Sequence, residues 1–383
     1  MNDINKKIQQ LKKMNLYRDI KYLTESQDKY TTIDNKSVIL MASNNYLGLS
    51  NNNLIKQAAI ESIKYYGVGS GGSRLTTGSY DVHRELEKKI AKFKNYEDCL
   101  VFNNGYMANV GVISSICDED YTIFSDELNH ASIIDGCRLS KAKVVVYKHN
   151  DMIDLLNKVK LKNSKYGVIV TDSVFSMDGD IANLEEIIGI AKDNNLITIV
   201  DDAHATGVIG EKGKGSCEYF NTKNIDITIG TLSKAIGSEG GFVCANSEIT
   251  EFLRNKARSF IFSTALSPSV ISAAIKSMEI IEKNPELIKK LNENIEYFCE
   301  KLDEIGFKVK SDTPIVPIII GNEDTANEFS KKLLEEGVFI PAIRYPTVKK
   351  GKARLRATIM ATHNFDDIDI VIKKIKKVKN SIK

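Results

Sequence analysis

Between residues 99 and 245, short apolar runs alternate with stretches in which apolar positions recur every three or four residues. The short runs are typical of buried strands, and the longer spacing is typical of amphipathic helices. Strands that alternate with helices favour βαβ units and a mostly parallel sheet. The predicted strands are residues 99–102, 121–124, 143–147, 167–171, 197–200, 225–229 and 241–245.

The pattern changes towards both ends of the chain. The first dozen residues have apolar side chains at helical spacing, which predicts an amphipathic helix. Asn284 and Pro285 end a long helical stretch, and the pattern beyond them predicts helix, strand, helix, strand and helix. We therefore expect an α/β fold with an N-terminal arm (1–45), a large α/β domain (46–283) and a small α+β domain (284–383).

Composition excludes several classes of protein. The 383 residues are 42% hydrophobic and 27% charged, which is typical of a soluble globular protein. A net charge of +3 gives no reason to expect a nucleic-acid or membrane partner. The six cysteines form no C-x-x-C pair, so neither a metal site nor a disulfide framework is predicted. The polar N-terminus and the absence of about 18 consecutive apolar residues favour a cytoplasmic protein.

Polar residues follow two of the predicted strands where each strand ends. Asp201 and His204 come after one run, and Thr231 and Lys234 come after the next. Because ligands bind at the carboxyl ends of parallel strands, we expect these side chains to share one crevice. Taken singly, the aspartate can cap a turn and the histidine can be structural. Together, the acid, the histidine and the lysine can hold the ring nitrogen, phenolic oxygen and aldehyde of a pyridine cofactor.

Two glycine-containing segments are candidates for binding a phosphate. Gly67, Gly69 and Gly72 match the G-x-G-x-x-G dinucleotide pattern, but a helical pattern precedes them where that site requires a strand. Residues 103–106 lie where a predicted strand turns into a helix, and the amides at a helix N-terminus can bind a phosphate. A nicotinamide dehydrogenase and a non-catalytic binding protein are the alternatives outside pyridine-aldehyde chemistry.

Seven motifs in one order give the chain a resemblance to a known family. They are residues 43–49, 69–78, 104–106, 126–132, 174–180, 201–207 and 231–237. In this order they resemble the α-oxoamine synthases, which are fold-type-I pyridoxal-phosphate enzymes, and the match covers nearly the whole chain. The resemblance implies a pyridoxal 5′-phosphate (PLP) cofactor and a homodimer.

Two further segments, 258–266 and 343–356, most resemble the branch of this family that serves biotin biosynthesis. That resemblance implies a decarboxylative condensation of L-alanine with a pimeloyl thioester, carried by coenzyme A or acyl carrier protein. The products would be 8-amino-7-oxononanoate, carbon dioxide and free thiol. Glycine C-acetyltransferase, 5-aminolevulinate synthase and serine palmitoyltransferase share the motifs that carry the chemistry and are the alternatives within the family.

The resemblance also implies roles for individual residues. Lys234 would bind the cofactor covalently and move the Cα proton, Asp201 would pair with the ring nitrogen, and His130 would stack on the ring. The other implied cofactor contacts are His204 and Ser176 beside the phenolic oxygen, and Gly105, Tyr106, Thr231 and, across a dimer interface, Thr264 at the phosphate. Arg356 would receive the amino-acid carboxylate, and Arg18, Asn44 and Thr347 would line the path of the substrates.

Overall fold

Strands and helices alternate through the middle of the chain, as the sequence pattern predicts. The fold is described from a computed structural model, which describes residues 2–14 and 16–382. The strands are β1 (Tyr30–Ile33), β2 (Lys36–Leu40), β3 (Asp98–Phe102), β4 (Tyr121–Asp126), β5 (Lys143–Tyr147), β6 (Tyr166–Asp172), β7 (Ile197–Asp201), β8 (Ile227–Thr231), β9 (Gly241–Ala245), β10 (Ile315–Gly321), β11 (Val338–Phe339), β12 (Ala342–Ile343) and β13 (Ala353–Thr358). The helices are α1 (Asn2–Lys13), α2 (Asn53–Tyr66), α3 (Asp81–Lys94), α4 (Gly105–Ile116), α5 (Ala131–Ser140), α6 (Met152–Lys160), α7 (Leu184–Asp193), α8 (Ser216–Tyr219), α9 (Ser247–Lys256), α10 (Arg258–Ile261), α11 (Pro268–Lys283), α12 (Glu286–Glu304), α13 (Glu323–Glu335) and α14 (Phe365–Ser381), with a 3₁₀ helix over Leu49–Asn51.

The central sheet has seven strands within the described residues, in the order β3-β9-β8-β7-β6-β4-β5. Neighbouring strands from β8 to β5 are parallel, whereas β9 is antiparallel to both β8 and β3. The segment 232–240 that joins β8 to β9 is shorter than the dozen or so residues that a parallel crossover requires. The predicted fold class, α/β with a mostly parallel sheet, is confirmed.

Helices cover both faces of this sheet, which explains why β8 is buried along its whole length. On one face Ile199 belongs to the same apolar cluster as Val112 of α4. On the other face Val200 belongs to a cluster with Ile187 of α7. Because β9 alone is reversed within this sheet, the carboxyl ends of the other strands meet at one edge.

Two smaller sheets contain strands from opposite ends of the chain. One has the order β10-β13-β12 and is antiparallel. The other joins the β1–β2 hairpin to β11, with Ile39 paired in parallel to Val338. The sequence pattern does not predict this hairpin within the arm, because its strands are only four and five residues long, although they pair locally through the turn at Asp34 and Asn35. The domain boundaries given above stay a prediction.

The described residues contain no membrane-spanning helix, no disulfide and no metal cluster. The helices of the described residues are too short or too polar to span a bilayer. The six cysteines are all free in the described chain, and Cys99, Cys117, Cys137 and Cys244 are buried. Among residues 2–14 and 16–382, no cluster of histidine, cysteine, aspartate and glutamate side chains has the arrangement of a metal site.

Candidate active site

The residues predicted to be catalytic all lie on segments that leave the carboxyl edge of the central sheet. Asp201 is the last residue of β7, and Asp172 pairs with it from the end of β6. Asp172 Oδ2 accepts a hydrogen bond of 2.7 Å from the amide of His130, in the segment after β4. Lys234 Nζ, beyond the end of β8, lies 2.9 Å from His204 Nε2. The four predicted residues, Lys234, His130, Asp201 and His204, therefore share one edge of the sheet.

A chain of hydrogen bonds leads from Lys234 to Arg356. Tyr46 Oη donates to Asn44 Oδ1 at 3.1 Å and lies 2.7 Å from His204 Nδ1. Because the tyrosine proton is used in the bond to Asn44, Nδ1 of His204 carries a hydrogen and donates to Tyr46. This leaves Nε2 of His204 as the acceptor that faces the amine of Lys234. Arg356 Nη1 and Nη2 complete the chain by donating to Asn44 Oδ1 at 3.3 and 3.2 Å.

Burial controls the protonation of this chain. Burial is the main cause that lowers the pKa of His204 well below its usual range, and the charges of Lys234 and Arg356 add to it. Burial also lowers the pKa of Lys234 to about 8, although the nearby carboxylates of Asp201 and Asp172 oppose the shift. His204 is therefore neutral at physiological pH. At physiological pH the Lys234 amine is mostly protonated, but its neutral, nucleophilic fraction is far larger than it would be at the ordinary pKa of 10.5.

Asp201 and His130 are linked by a second set of hydrogen bonds. Asp201 Oδ2 accepts from Asn109 Nδ2 at 2.6 Å, and its Oδ1 accepts from the amide of Ala203 at 2.8 Å. The same Asn109 amide donates to Ser132 Oγ at 3.0 Å, which lies 2.7 Å from His130 Nδ1. His130 Nδ1 also accepts from the amide of Ser132, so the imidazole is held as a neutral ring. Partial desolvation of the ring, as the largest cause, lowers the pKa of His130, although the residue stays partly open to solvent.

Arg356 extends from β13 towards the same edge and is 6% exposed. Its Nε donates to the carbonyl of Ser176 at 2.5 Å, while both terminal nitrogens point at Asn44. The sequence resemblance assigns Ser176 to the cofactor through its side chain, and the structure adds a contact through its backbone. The guanidinium thus has a fixed orientation next to the Lys234 chain.

Gly105 and Thr231 form the part of the site that is suited to a phosphate. Gly105 begins α4, and Asn104 caps the helix by accepting from the amide of Met107 at 2.8 Å. The first amides of a helix have no acceptor within it, so those of Gly105 and Tyr106 are available to an anion. A β-carbon built on Gly105 would lie 3.6 Å from Thr231 Cβ and 3.8 Å from Thr231 Oγ1. A helix N-terminus and the side chain of Thr231 therefore lie together here, and the Thr231 hydroxyl, which donates to the carbonyl of Gly240 at 2.9 Å, would turn from it to reach a phosphate.

Five predicted residues are exposed, namely His130, Tyr106, Arg18, Thr347 and Thr264. Tyr106 is 44% exposed and its hydroxyl donates to Asp135, so its backbone is the part that faces the site. Arg18 follows α1 on the surface, and Thr347 is exposed in the loop before β13. Thr264 is exposed too, and its carbonyl accepts from Asn103 Nδ2 at 2.6 Å. The structure does not join Arg18 or Thr347 to the Lys234 chain, and their roles stay predictions.

Sequence reasoning missed four residues of these networks, Tyr46, Asn109, Ser132 and Asp172. Tyr46 lies in the motif 43–49, in which only Asn44 received a role. Asn109 is a polar position in a helix whose buried residues are mostly apolar. Asp172 ends an apolar strand just as Asp201 does, so the signal that identified Asp201 could have identified Asp172 as well.

The glycine cluster does not form a dinucleotide site. Helix α2 ends immediately before Gly67, which takes a left-handed φ of 84° and serves as the helix C-cap. The segment up to Tyr80 continues without a strand or a helix longer than a turn. The strand that this kind of site requires is therefore missing from the described structure in front of Gly67.

A large cavity lies away from the predicted residues. It has a volume of about 1290 Å³ and lies between α12 and residues 208–221. Its lining includes Ile209, Ile288 and Glu293 but none of the predicted site residues. The carboxyl edge of the sheet is the better candidate, because the convergent polar groups with shifted pKa values are found there.

Comparisons with known proteins agree with this geometry. The family described as aminotransferase class I and II matches residues 36–375. The 8-amino-7-oxononanoate synthase of Lysinibacillus sphaericus is 52% identical over 99% of this chain and 98% of its own length. A crystal structure of 8-amino-7-oxononanoate synthase from Francisella tularensis has a TM-score of 0.78 and 32% identity, covering 90% of this chain and 98% of that one. A serine palmitoyltransferase variant from S. paucimobilis with bound PLP–myriocin has a TM-score of 0.94 and 28% identity, covering 99% and 97% of the two chains.

The site fits PLP, the cofactor of this family. Asp201 is a buried carboxylate that can pair with the ring nitrogen, and Lys234 is an amine whose pKa is lowered to about 8. The helix start at Gly105, together with the hydroxyl of Thr231, suits the phosphate. The chain therefore belongs to the α-oxoamine synthases within the aminotransferase class I and II family, and it is a PLP-dependent acyltransferase of fold type I.

Proposed function

We propose that this protein condenses L-alanine with a pimeloyl thioester to give 8-amino-7-oxononanoate, carbon dioxide and free thiol, a step of biotin biosynthesis. The observation that carries the proposal is the identity of 44% to 52% with 8-amino-7-oxononanoate synthases over nearly the full length of the chain. The geometry of the site supports the proposal, because the amine of Lys234, the carboxylate of Asp201 and the guanidinium of Arg356 lie at the same edge of the sheet.

Each site residue of this chain has a separate role in the proposed reaction. The cofactor supplies, when bound, an electron sink for the carbanion at Cα of alanine. Asp201 holds a proton at the ring nitrogen by charge pairing, which strengthens that sink. Arg356 binds the alanine carboxylate with two parallel hydrogen bonds. Lys234 removes the Cα proton, and neutral His204 accepts a hydrogen bond from its amine and so orients it.

A thiol-release assay tests the proposal directly. The purified holoenzyme is given L-alanine with pimeloyl-coenzyme A or with pimeloyl-acyl carrier protein, and free thiol, carbon dioxide and product mass are measured. Parallel reactions offer glycine or serine with acetyl, succinyl and palmitoyl thioesters. Activity confined to serine and a long acyl chain would overturn the assignment while leaving the family intact. The two pimeloyl reactions also establish which acyl carrier is used.

The pH dependence of cofactor binding follows from the environment of Lys234. Burial lowers the pKa of this amine from its ordinary 10.5 to about 8. The amine is protonated below that pH and neutral above it, and only the neutral form attacks an aldehyde. The rate at which cofactor-free protein takes up PLP, followed by absorbance after mixing, is therefore expected to rise through about pH 8. An inflection near 10.5 would contradict the role of burial.

The active form in this proposal is a homodimer in which Thr264 reaches the phosphate of the neighbouring site. Phe262, two residues before Thr264, is 72% exposed, and Tyr65 and Val68, which precede Ser73 in the chain, are 81% and 77% exposed. A backbone bridge between Ser73 and Thr264 brings their two segments together. Exposed apolar patches of this kind are typical of interfaces between subunits. Light scattering should give twice the chain mass of 42.7 kDa, and a fully active monomer would contradict the dimer.

A further inference from the structure

His149 lies between two carboxylates that belong to different segments. Its Nδ1 is 3.0 Å from Asp126 Oδ1, and its Nε2 is 2.7 Å from Asp180 Oδ2. A carboxylate only accepts, so both ring nitrogens carry hydrogens and the ring is a cation. Burial alone would lower the pKa of His149, but the two carboxylates outweigh it and raise the pKa to about 10. The ring also packs edge-on against Phe175, with centroids 4.4 Å apart.

Asp126 shapes the turn that leads to His130. It ends β4, and its Oδ1 accepts from the amide of Leu128 at 2.8 Å. Its Oδ2 accepts from the amide of Asn150 at 3.0 Å. The carboxylate therefore joins the turn 126–130 to the segment that contains His149.

Asp180 closes the loop 174–180, which contains Ser176. Side chains from the C-terminal part of the chain bind three carbonyls of this loop: Arg356 binds that of Ser176, Arg354 that of Met177 and Thr313 that of Gly179. His149 holds the end of the loop through Asp180. The orientation of Arg356 thus depends on a loop that His149 helps to fix.

We propose that His149 is a positioning residue whose cation joins the turn leading to His130 to the loop containing Ser176. It thereby sets the position of the ring-stacking histidine relative to the carboxylate-binding Arg356. This inference rests on the proposed function, because the roles of His130 and Arg356 are taken from it. His149 touches neither cofactor nor substrate in this account and acts through the two segments that it connects.

A neutral side chain could not take the role of His149, because the positive charge of its ring compensates the carboxylates of Asp126 and Asp180. Without the cation, Asp126 and Asp180 would face each other uncompensated. Glu127 adds a third carboxylate, whose Oε1 accepts from the amide of His149 at 3.3 Å and is 3.3 Å from Lys349 Nζ. Repulsion among these groups would shift the turn relative to the loop, although Asn150 still donates to both Asp126 and Asp180. The fold itself would persist, because Asn150 Nδ2 also holds Asp180, at 3.1 Å, and the carbonyl of Ile181, at 3.2 Å.

The test compares His149→Gln with Lys158→Gln in the holoenzyme. Lys158 is a matched control, because its amine binds the carbonyl of Val146 at 2.8 Å and Asp154 at 2.6 Å in the same region, away from both site segments. Displacing reacting groups by about 1 Å can lower a rate about 10²-fold. We expect His149→Gln to lower kcat about 10- to 100-fold, raise KM for alanine and change the absorbance and visible circular dichroism of the bound cofactor. Lys158→Gln should leave all three unchanged; equal behaviour of the two variants, per folded molecule, would overturn the proposal.

A rescue experiment separates the cation from the shape of the ring. His149 is 21% exposed, so a small molecule can enter the space left by His149→Ala. Imidazole should restore the cofactor spectrum and raise kcat several-fold, whereas triazole, which is similar in size and uncharged at neutral pH, should not. Equal rescue by both would overturn the role of charge. The spectrum is recorded without acyl thioester, so this arm stays decisive if the wild-type protein fails the thiol-release assay and the proposed function falls.

Discussion

Replacing Lys234 with alanine is expected to lower the rate of thiol release at least about 10⁴-fold, the upper end of what one acid–base group contributes. In the proposed mechanism the loss is large, because the variant lacks both the amine that would bind the cofactor covalently and the base that would move the Cα proton. In the wild-type protein the amine of Lys234 lies 2.9 Å from His204 Nε2. The variant therefore also lacks the first member of the hydrogen-bond chain that leads to Arg356. Thiol release and carbon dioxide release from alanine and a pimeloyl thioester measure the effect.

A surface lysine and a chemical label are the controls for this experiment. Lys212 is exposed, and Lys212→Ala should retain the wild-type rate. Borohydride treatment of the wild-type holoenzyme followed by peptide mapping should place the cofactor on Lys234. If Lys234→Ala released carbon dioxide at the wild-type rate, the proposed mechanism would be wrong.

Replacing Lys94 with methionine is expected to lower the free energy of unfolding by about 3–5 kcal/mol, the usual cost of leaving one member of a buried ion pair unpaired. Lys94 Nζ donates to Asp202 Oδ2 at 2.6 Å, Thr206 Oγ1 at 3.2 Å and the carbonyl of Lys214 at 2.5 Å. Both side chains of the Lys94–Asp202 pair are 0% exposed. Urea titration followed by far-ultraviolet circular dichroism measures the change, since the chain has no tryptophan.

A second substitution distinguishes the loss of charge pairing from the loss of packing. In the double variant Lys94→Met with Asp202→Asn, the uncompensated carboxylate is removed while an acceptor for the amide of Ser216 is kept. This variant should be more stable than Lys94→Met alone. An exposed pair offers a reference: Arg138 is 75% exposed beside Asp135, so Arg138→Met should have little effect on stability. Equal losses from Lys94→Met and Arg138→Met would contradict the prediction.

The strands of the central sheet were predictable because each is a short apolar run that is recognisable locally. The predicted ranges 143–147 and 241–245 coincide with β5 and β9, and the other ranges differ from the observed strands by up to two residues at either end. The direction of β9 was not predictable from its own residues, which are as apolar as those of its parallel neighbours. It follows from the short connection after β8. The β1–β2 hairpin was missed because its strands have only four and five residues, and its attachment to β11 was missed because that strand is remote in sequence.

In the candidate site too, residues within a local motif were predictable, whereas contacts made by residues remote in the chain were not. Asp201, His204 and Lys234 were identified because polar residues at the ends of apolar strands stand out in a sequence. Tyr46 and Asn109 were missed as contacts, because a hydrogen bond to His204 or Asp201 depends on segments that meet only in the fold.

The sequence by itself determined the family, the cofactor and the residues that are candidates for the chemistry, because these depend on residue types in a fixed order. Only the tertiary structure decided how those residues are charged and held, because pKa values and hydrogen bonds depend on burial and on groups remote in the chain. Lys94 follows a helical pattern as an ordinary surface lysine would, yet it is wholly buried against Asp202. His149 has no distinctive pattern in the sequence, yet the fold places it between Asp126 and Asp180, where it is a cation.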